Sequence, residues 1–232
     1  MPKLVSFVQQ KGGTGKTTMT MLTAGYFHDN GANIIVVDTD YPQLSFVRIR
    51  HRDLHNLSEE DAQKRTGEEI LQEQGKKLYP IISSNVNESA TQLGVIKTSA
   101  EFQFVFCDLP GTLNVSGIQK VFKLLDYIII PCELEDKSII AALETMDVIR
   151  GFNPDIPIGF VWTKIKRKHR VAERLEYEAY IKSMHPVHIF QYILYDTVRV
   201  SQQLNTLTSQ PDTILDFVSE LTGLIKGNLV HH

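Results

Sequence analysis

Cysteine is scarce in this chain: Cys107 and Cys132 are the only two in 232 residues, and neither has a CxxC partner. That argues against a bridged iron–sulfur or zinc site. Each closes an apolar, strand-like run, so both read as buried thiols of a reducing compartment. Net charge is lacking too. The 24 basic and 27 acidic residues leave −3, which gives no global pull toward nucleic acid or anionic lipid. Any such binding must come from a local patch. No apolar run approaches the length of a membrane-spanning helix. The opening Leu4-Val5-Ser6-Phe7-Val8 is too short for the apolar core of a signal peptide, and no cleavage site follows, so a cytoplasmic protein is expected. Low-complexity linkers and internal repeats are absent as well. At 42% hydrophobic and 22% charged residues the composition is ordinary globular material, and one domain over 1–230 is expected. The terminal His231-His232 match the end of a purification tag and are assigned no role.

What is present is a rhythm. Strand candidates fall at Lys3–Val8, Asn33–Val37, Leu78–Ser83, Phe102–Cys107, Tyr127–Pro131, Ile156–Trp162 and His188–Leu194. Helix candidates lie between and after them, near 16–30, 58–76, 87–99, 114–125, 136–150, 169–184 and 212–226. The near-continuous Val, Ile and Phe content fits strands covered on both faces. The alternation predicts an α/β fold with a doubly wound, mostly parallel sheet, helices on both faces, and ligands at the carboxyl ends of the strands. The segment from Arg48 to Lys77 is the least regular part, dense in charge of both signs, and reads as a solvated helical face.

The strongest local signal is Gln9-Gln10-Lys11-Gly12-Gly13-Thr14-Gly15-Lys16-Thr17-Thr18, placed between a strand and a helix. That is the setting of a phosphate-binding loop and implies a P-loop NTPase fold. Gly12, Gly13 and Gly15 let the backbone curl so that successive N–H groups meet phosphate oxygens, with the helix N-terminus behind them. Lys16 would reach the β- and γ-phosphates of ATP, and the Thr17 hydroxyl would coordinate Mg²⁺. The first glycine of GxxxxGK[ST] is missing, since Gln10 stands there, and a second lysine, Lys11, has been added. Farther on, Phe104-Val105-Phe106-Cys107-Asp108-Leu109-Pro110-Gly111 is an apolar strand ending in a carboxylate. Asp108 would hold Mg²⁺ through water. Gly111 could let the backbone approach the γ-phosphate and change course when it leaves.

The added lysine carries a resemblance. KGGTGKT resembles the deviant Walker A loop of the ParA/MinD/nitrogenase iron protein group. The resemblance implies that Lys11 crosses a nucleotide-sandwich homodimer and neutralises γ-phosphate charge in the opposite subunit, a cation supplied in trans. Ile34-Ile35-Val36-Val37-Asp38-Thr39-Asp40-Tyr41-Pro42-Gln43 is similar to the ParA pattern hhhhDxDPQ. By that likeness Asp40 positions the attacking water, and Asp38 supports the strand end or a metal-bound water. Tyr41, inserted before Pro42, departs from the pattern. Thr163 stands where some members place an asparagine near adenine, and Tyr195-Asp196-Thr197-Val198-Arg199 loosely matches a later loop. The Asp-Tyr-Pro-Gln variant followed by Arg48-Ile49-Arg50-His51-Arg52 is similar to ParA-like proteins of conjugative transposons.

The likeness also frames the partners. ParA-type relatives bind DNA nonspecifically as ATP dimers and have ParB-like activating partners. The densest basic stretch here, Lys164 to Arg170, makes Arg167, Lys168, Arg170 and Arg174 the candidate DNA contacts. Glu173, Glu176 and Glu178 follow at once, so a solvated helix start is the competing reading. MinD-type relatives reach membranes through a basic amphipathic C-terminal helix. The last helix here has Asp212, Asp216 and Glu220 on its polar side, which argues for core packing and no membrane contact. The function implied is a slow ATPase switch in DNA partition, positioning or conjugal transfer. The competing class is a metabolic P-loop enzyme that activates a small carboxylate by phosphoryl transfer. An iron-protein-like redox carrier lacks a suitable cysteine pair.

Overall fold

The computed structural model describes residues 1–166, 171–196 and 204–227. Seven strands, β1 (Lys3–Phe7), β2 (Ile34–Asp38), β3 (Ile81–Ser83), β4 (Phe104–Asp108), β5 (Tyr127–Cys132), β6 (Ile158–Ile165) and β7 (His188–Tyr195), form one sheet. Its order is β3-β2-β4-β1-β5-β6-β7 and every pairing is parallel. From β1 the chain passes to β2 and β3 at one edge, returns to β4 between β2 and β1, and then crosses to the other side of β1 for β5, β6 and β7. The crevice at the carboxyl end of β1 is therefore the switch point at which such sheets bind ligands.

The strands carry apolar side chains on both faces because both are covered. Leu4 and Val8 belong to one buried layer, whereas Val5 and Phe7 belong to the other. The first layer is closed by α4 (Val86–Thr98), α5 (Ile118–Leu124), α6 (Asp136–Phe152) and α7 (Val171–Met184). The second is closed by α1 (Lys16–Asp29), α2 (Ser45–Glu59) and α8 (Pro211–Ile225), whose Phe217 packs on Phe7 and Phe190. In α8, Ile214, Phe217, Val218, Leu221 and Leu224 are buried, as a core-packing helix requires. Leu215 points to solvent. Both cysteines are buried and free, and burial pushes the Cys132 thiol up to about 12 and Cys107 higher still.

The segment before β3 differs from the sequence expectation. The helix expected near 58–76 is only the short α3 (Gly67–Glu73), a helix that was not expected, α2, precedes it, and the strand expected from Leu78 begins only at Ile81. Nor is α2 simply a solvated charged face. Arg50 and Asp53 are buried. The guanidinium of Arg50 donates to the Thr206 hydroxyl (2.8 Å), the Thr206 carbonyl (3.2 Å) and the Tyr79 carbonyl (3.2 Å), and lies 4.5 Å from the Tyr79 ring centre. Asp53 accepts from the Thr206 backbone N–H (2.7 Å) and hydroxyl (2.9 Å). Thr206 thus bridges two buried opposite charges and ties the chain ahead of α8 to α2. Asp53→Ala should cost about 3 kcal/mol, because it strands a buried cation. Arg52→Ala, which removes only the exposed partner of Asp53, should cost less than about 1 kcal/mol. Urea denaturation of the two variants checks the difference, and equal losses would contradict it.

Candidate functional site

The loop from Gln9 to Gly15 follows β1, and α1 begins at Lys16. Gly13 (φ +77°) and Gly15 (φ +96°) hold the left-handed conformation that the curl requires and that other residues adopt only under strain. Contacts from far along the chain brace it. The Thr163 hydroxyl on β6 donates to the Thr14 carbonyl at 2.8 Å. Thr145 on α6 donates to the Gln9 side chain at 3.0 Å and accepts from the Gln10 backbone at 3.3 Å. Thr163, which stands where some members of the resembled group have an asparagine, thus braces the phosphate loop.

A cleft of about 750 Å³ opens beside this loop, with Lys16, Thr17, Asp40 and Gly111 in its walls. The structure therefore brings together Gly12, Gly13, Lys16, Thr17 and Asp40 from distant parts of the sequence. The Thr17 hydroxyl donates to both Asp108 oxygens, at 3.0 and 3.3 Å. Asp38 ends β2 in register with Asp108. Its carboxylate accepts from the backbone N–H groups of Phe46 (3.0 Å), Val47 (3.1 Å) and Asp40 (3.3 Å). It therefore caps α2, whose own first turn has Leu44 in the capping position and no side-chain acceptor.

Three carboxylates lie close together with one lysine. Burial, then the charge of Asp38, push Asp108 up to about 7 against the pull of Thr17 and Lys16. Burial also raises Asp38 and Asp40, and lowers Lys16 against the attraction of Asp108 and Asp40. A divalent cation placed between the Thr17 hydroxyl and Asp108 would supply the missing positive charge with oxygen ligands of the kind Mg²⁺ takes. Among the described residues no group of three or more His, Cys, Asp or Glu could hold a metal, so such an ion would keep water or ligand oxygens in much of its shell. A carboxylate raised in the folded state binds its proton more tightly there than in the unfolded chain. Its destabilising effect is absent at low pH and grows as pH rises from about 4 toward the Asp108 value of about 7. The metal-free protein should therefore unfold at lower urea at pH 8 than at pH 5, and Asp108→Asn should flatten that dependence. An unchanged slope in Asp108→Asn would contradict the assignment.

Lys11 is placed differently from Lys16. Its ammonium lies 3.1 Å from Glu133 and 3.0 Å from Glu135, at the end of β5, and is not in the cleft wall. Burial works to lower its pKa, but the hydrogen bonds and charges of Glu135 and Glu133 outweigh it and the net shift is upward. Lys164 also reaches Glu133, at 3.2 Å. Of the basic candidates, Arg167, Lys168 and Arg170 lie outside the described residues. Arg174 is ion-paired with Glu178, which also accepts from the Trp162 indole at 2.7 Å.

A glycine loop at the switch point of a parallel sheet, opening a helix and faced by Lys16, Thr17 and Asp108, defines a P-loop nucleotide-binding protein. The chain belongs to the CobQ/CobB/MinD/ParA nucleotide binding domain family, whose pattern matches residues 5–208. An uncharacterized protein of Methanocaldococcus jannaschii is 27% identical over 214 residues, covering 79% of this chain and 80% of that one. Among solved structures, a chain of the MinC:MinD cell division protein complex of Aquifex aeolicus superposes with a TM-score of 0.68 at 16% identity, covering 95% of this chain and 96% of that one. A plasmid partition protein of Borrelia burgdorferi bound to AMPPNP superposes at 0.63 and 18% identity, covering 98% and 100%. Identities this low speak for the fold.

Proposed function

We propose that this protein is a cytoplasmic, Mg-ATP-dependent dimerisation switch with slow ATP hydrolysis, acting in the partition or positioning of DNA or in conjugal transfer of a mobile element. The observation that carries the reading is the position of Lys11. One lysine, Lys16, lines the subunit's own phosphate cleft, while Lys11 is held outside it by two glutamates. In this reading a cation held outside its own subunit's cleft is the one that serves the phosphates of a second copy. The AMPPNP-bound partition protein and the MinC:MinD complex among the structural relatives support the nucleotide and the switch class.

In this reading the backbone N–H groups of Lys11 to Thr18 cradle the phosphates and Lys16 reaches the β- and γ-phosphates. Thr17 and Asp108 hold Mg²⁺, which supplies charge neutralisation along the phosphates. Asp38 acts beside them by fixing the course of the loop that bears Asp40, and has no direct metal contact. Asp40 orients the attacking water, and its raised pKa suits a group that takes up proton density. Lys11 leaves Glu133 and Glu135 for the opposite γ-phosphate. DNA contact rests on Arg167, Lys168 and Arg170, with Arg174 contributing least because Glu178 already neutralises it. Hydrolysis ends the dimer, and a ParB-like partner accelerates it. Membrane contact has no support, since α8 buries its apolar side in the core and no described helix is long and apolar enough to cross a membrane.

A timing device turns over slowly. The isolated protein should hydrolyse ATP well below the ~10 per second typical of metabolic enzymes. A steady-state phosphate-release assay at that rate or above, without any partner, would contradict the switch.

A further inference from the structure

The amino-terminal end of the sheet, opposite the phosphate cleft, carries a second cavity. It measures about 420 Å³, within the range of small-molecule sites. It lies where the turn after α6 (153–157) enters β6 and the turn after α7 (185–187) enters β7. Its walls are pinned by the protein's own side chains. The Arg150 guanidinium donates to the carbonyls of Pro154 and Ile156 ahead of β6 (2.6 and 2.7 Å) and of Pro186 ahead of β7 (3.1 Å), so it ties the two turns together. His188 opens β7 with a ring nitrogen 2.7 Å from a Glu220 oxygen and its ring edge-on to Phe190. Pro154, Pro157 and Pro186 stiffen the lining further.

Arg150 and Lys182 line this cavity, and among the described residues neither makes an ion pair. Burial works against the Arg150 charge, and Asp155, the one acidic residue of the lining, offsets that only in part. Helix ends draw cations, since the dipole is negative there. That accounts for Arg150, which already serves three carbonyls, better than for Lys182, which donates to no group among the described residues. The rest of the wall is largely apolar, with Ile156, Ile158 and Val187 buried in it. A preformed apolar cavity with two unpaired cations suits an anion on an apolar body, whereas a bare inorganic anion would leave the apolar wall empty. We propose that this cavity binds a small organic anion, a carboxylate carried on an apolar ring. The Lys182 ammonium meets the carboxylate, the Arg150 charge stands behind it, and the proline-lined wall receives the apolar body. Because the walls are already fixed, binding adds little ordering cost. The site is separate from the nucleotide cleft, at the carboxyl end of the same sheet, and does not depend on the dimer-switch reading.

Saturation-transfer NMR on the full chain, with benzoate, phenylacetate and neutral benzamide as probes, tests this. Benzoate or phenylacetate should bind with a Kd of about 1 mM or tighter, and benzamide at least about fivefold more weakly. Lys182→Ala should weaken the carboxylate about fivefold or more. Lys182→Arg, which keeps the charge, should stay within about threefold of wild type. Lys182 is exposed on α7, so both variants should fold and should hydrolyse ATP at the wild-type rate. Lys16→Ala, which removes the cation of the phosphate cleft, should leave carboxylate affinity unchanged. If neither carboxylate binds at about 1 mM, if benzamide binds as tightly, or if Lys182→Ala matches wild type, the inference is wrong. A loss of carboxylate binding in Lys16→Ala with Lys182→Ala unaffected would put the anion in the phosphate cleft and overturn it as well.

Discussion

Lys16→Ala should abolish useful ATP binding, with affinity falling about 10²–10³-fold. Two effects combine. Among the described residues the ammonium is the only cation in the cleft wall, so the phosphates lose their direct counter-charge. Its removal also leaves Asp108, Asp38 and Asp40 without the lysine that offsets their mutual repulsion, and Asp108 is already pushed up to about 7. The residual site would repel a polyanion. Titration calorimetry with Mg-ATP checks this, and Lys11→Ala is the control. Lys11 lies outside the cleft wall, so that variant should keep monomer affinity within about threefold of wild type. Equal losses in the two variants would mean that both lysines serve the same subunit's nucleotide.

Asp40→Ala should separate binding from chemistry. Asp40 stands in the cleft wall with Lys16, and its backbone is positioned by Asp38. Losing a group that orients and deprotonates water costs about 10²–10⁴ in rate. Binding should survive, because a negative charge near the γ-phosphate is removed. Hydrolysis should therefore drop by that factor, with ATP affinity unchanged or improved. Single-turnover phosphate release and calorimetry together decide it. A fall in affinity with hydrolysis intact would move Asp40 from chemistry to binding.

How legible these parts were in the sequence depends on how local their causes are. The phosphate loop declares itself because glycine spacing, Lys16 and Thr17 act within a few residues of one another. The strands declare themselves through unbroken apolar runs, a direct consequence of being covered on both faces. Helix α3 has a local start signal as well, the capping box of Thr66 and Glu69. Helix α2 has none. Leu44 occupies its capping position in a left-handed conformation, and the acceptor comes from Asp38 on the preceding strand. A search for a capping residue beside the helix could not find it. The braces on the phosphate loop, Thr145 and Thr163, lie more than a hundred residues away in the chain. Only the sheet order brings them there. The same holds for the glutamates on Lys11 and for the Thr206 bridge, which turned a stretch read as solvated into a partly buried one. Tyr41, by contrast, was visible as an insertion, and what the sequence could not supply was its exposure at the rim of the cleft.

The central claim is that ATP joins two copies through Lys11. Light scattering on wild type and Lys11→Ala, with Mg-ADP and with Mg-ATP, tests it most directly. Wild type should double its mass in Mg-ATP and remain monomeric in Mg-ADP, and Lys11→Ala should stay monomeric in both. A wild-type protein that keeps one mass in both nucleotides, or a Lys11→Ala protein that still dimerises in Mg-ATP, would contradict it.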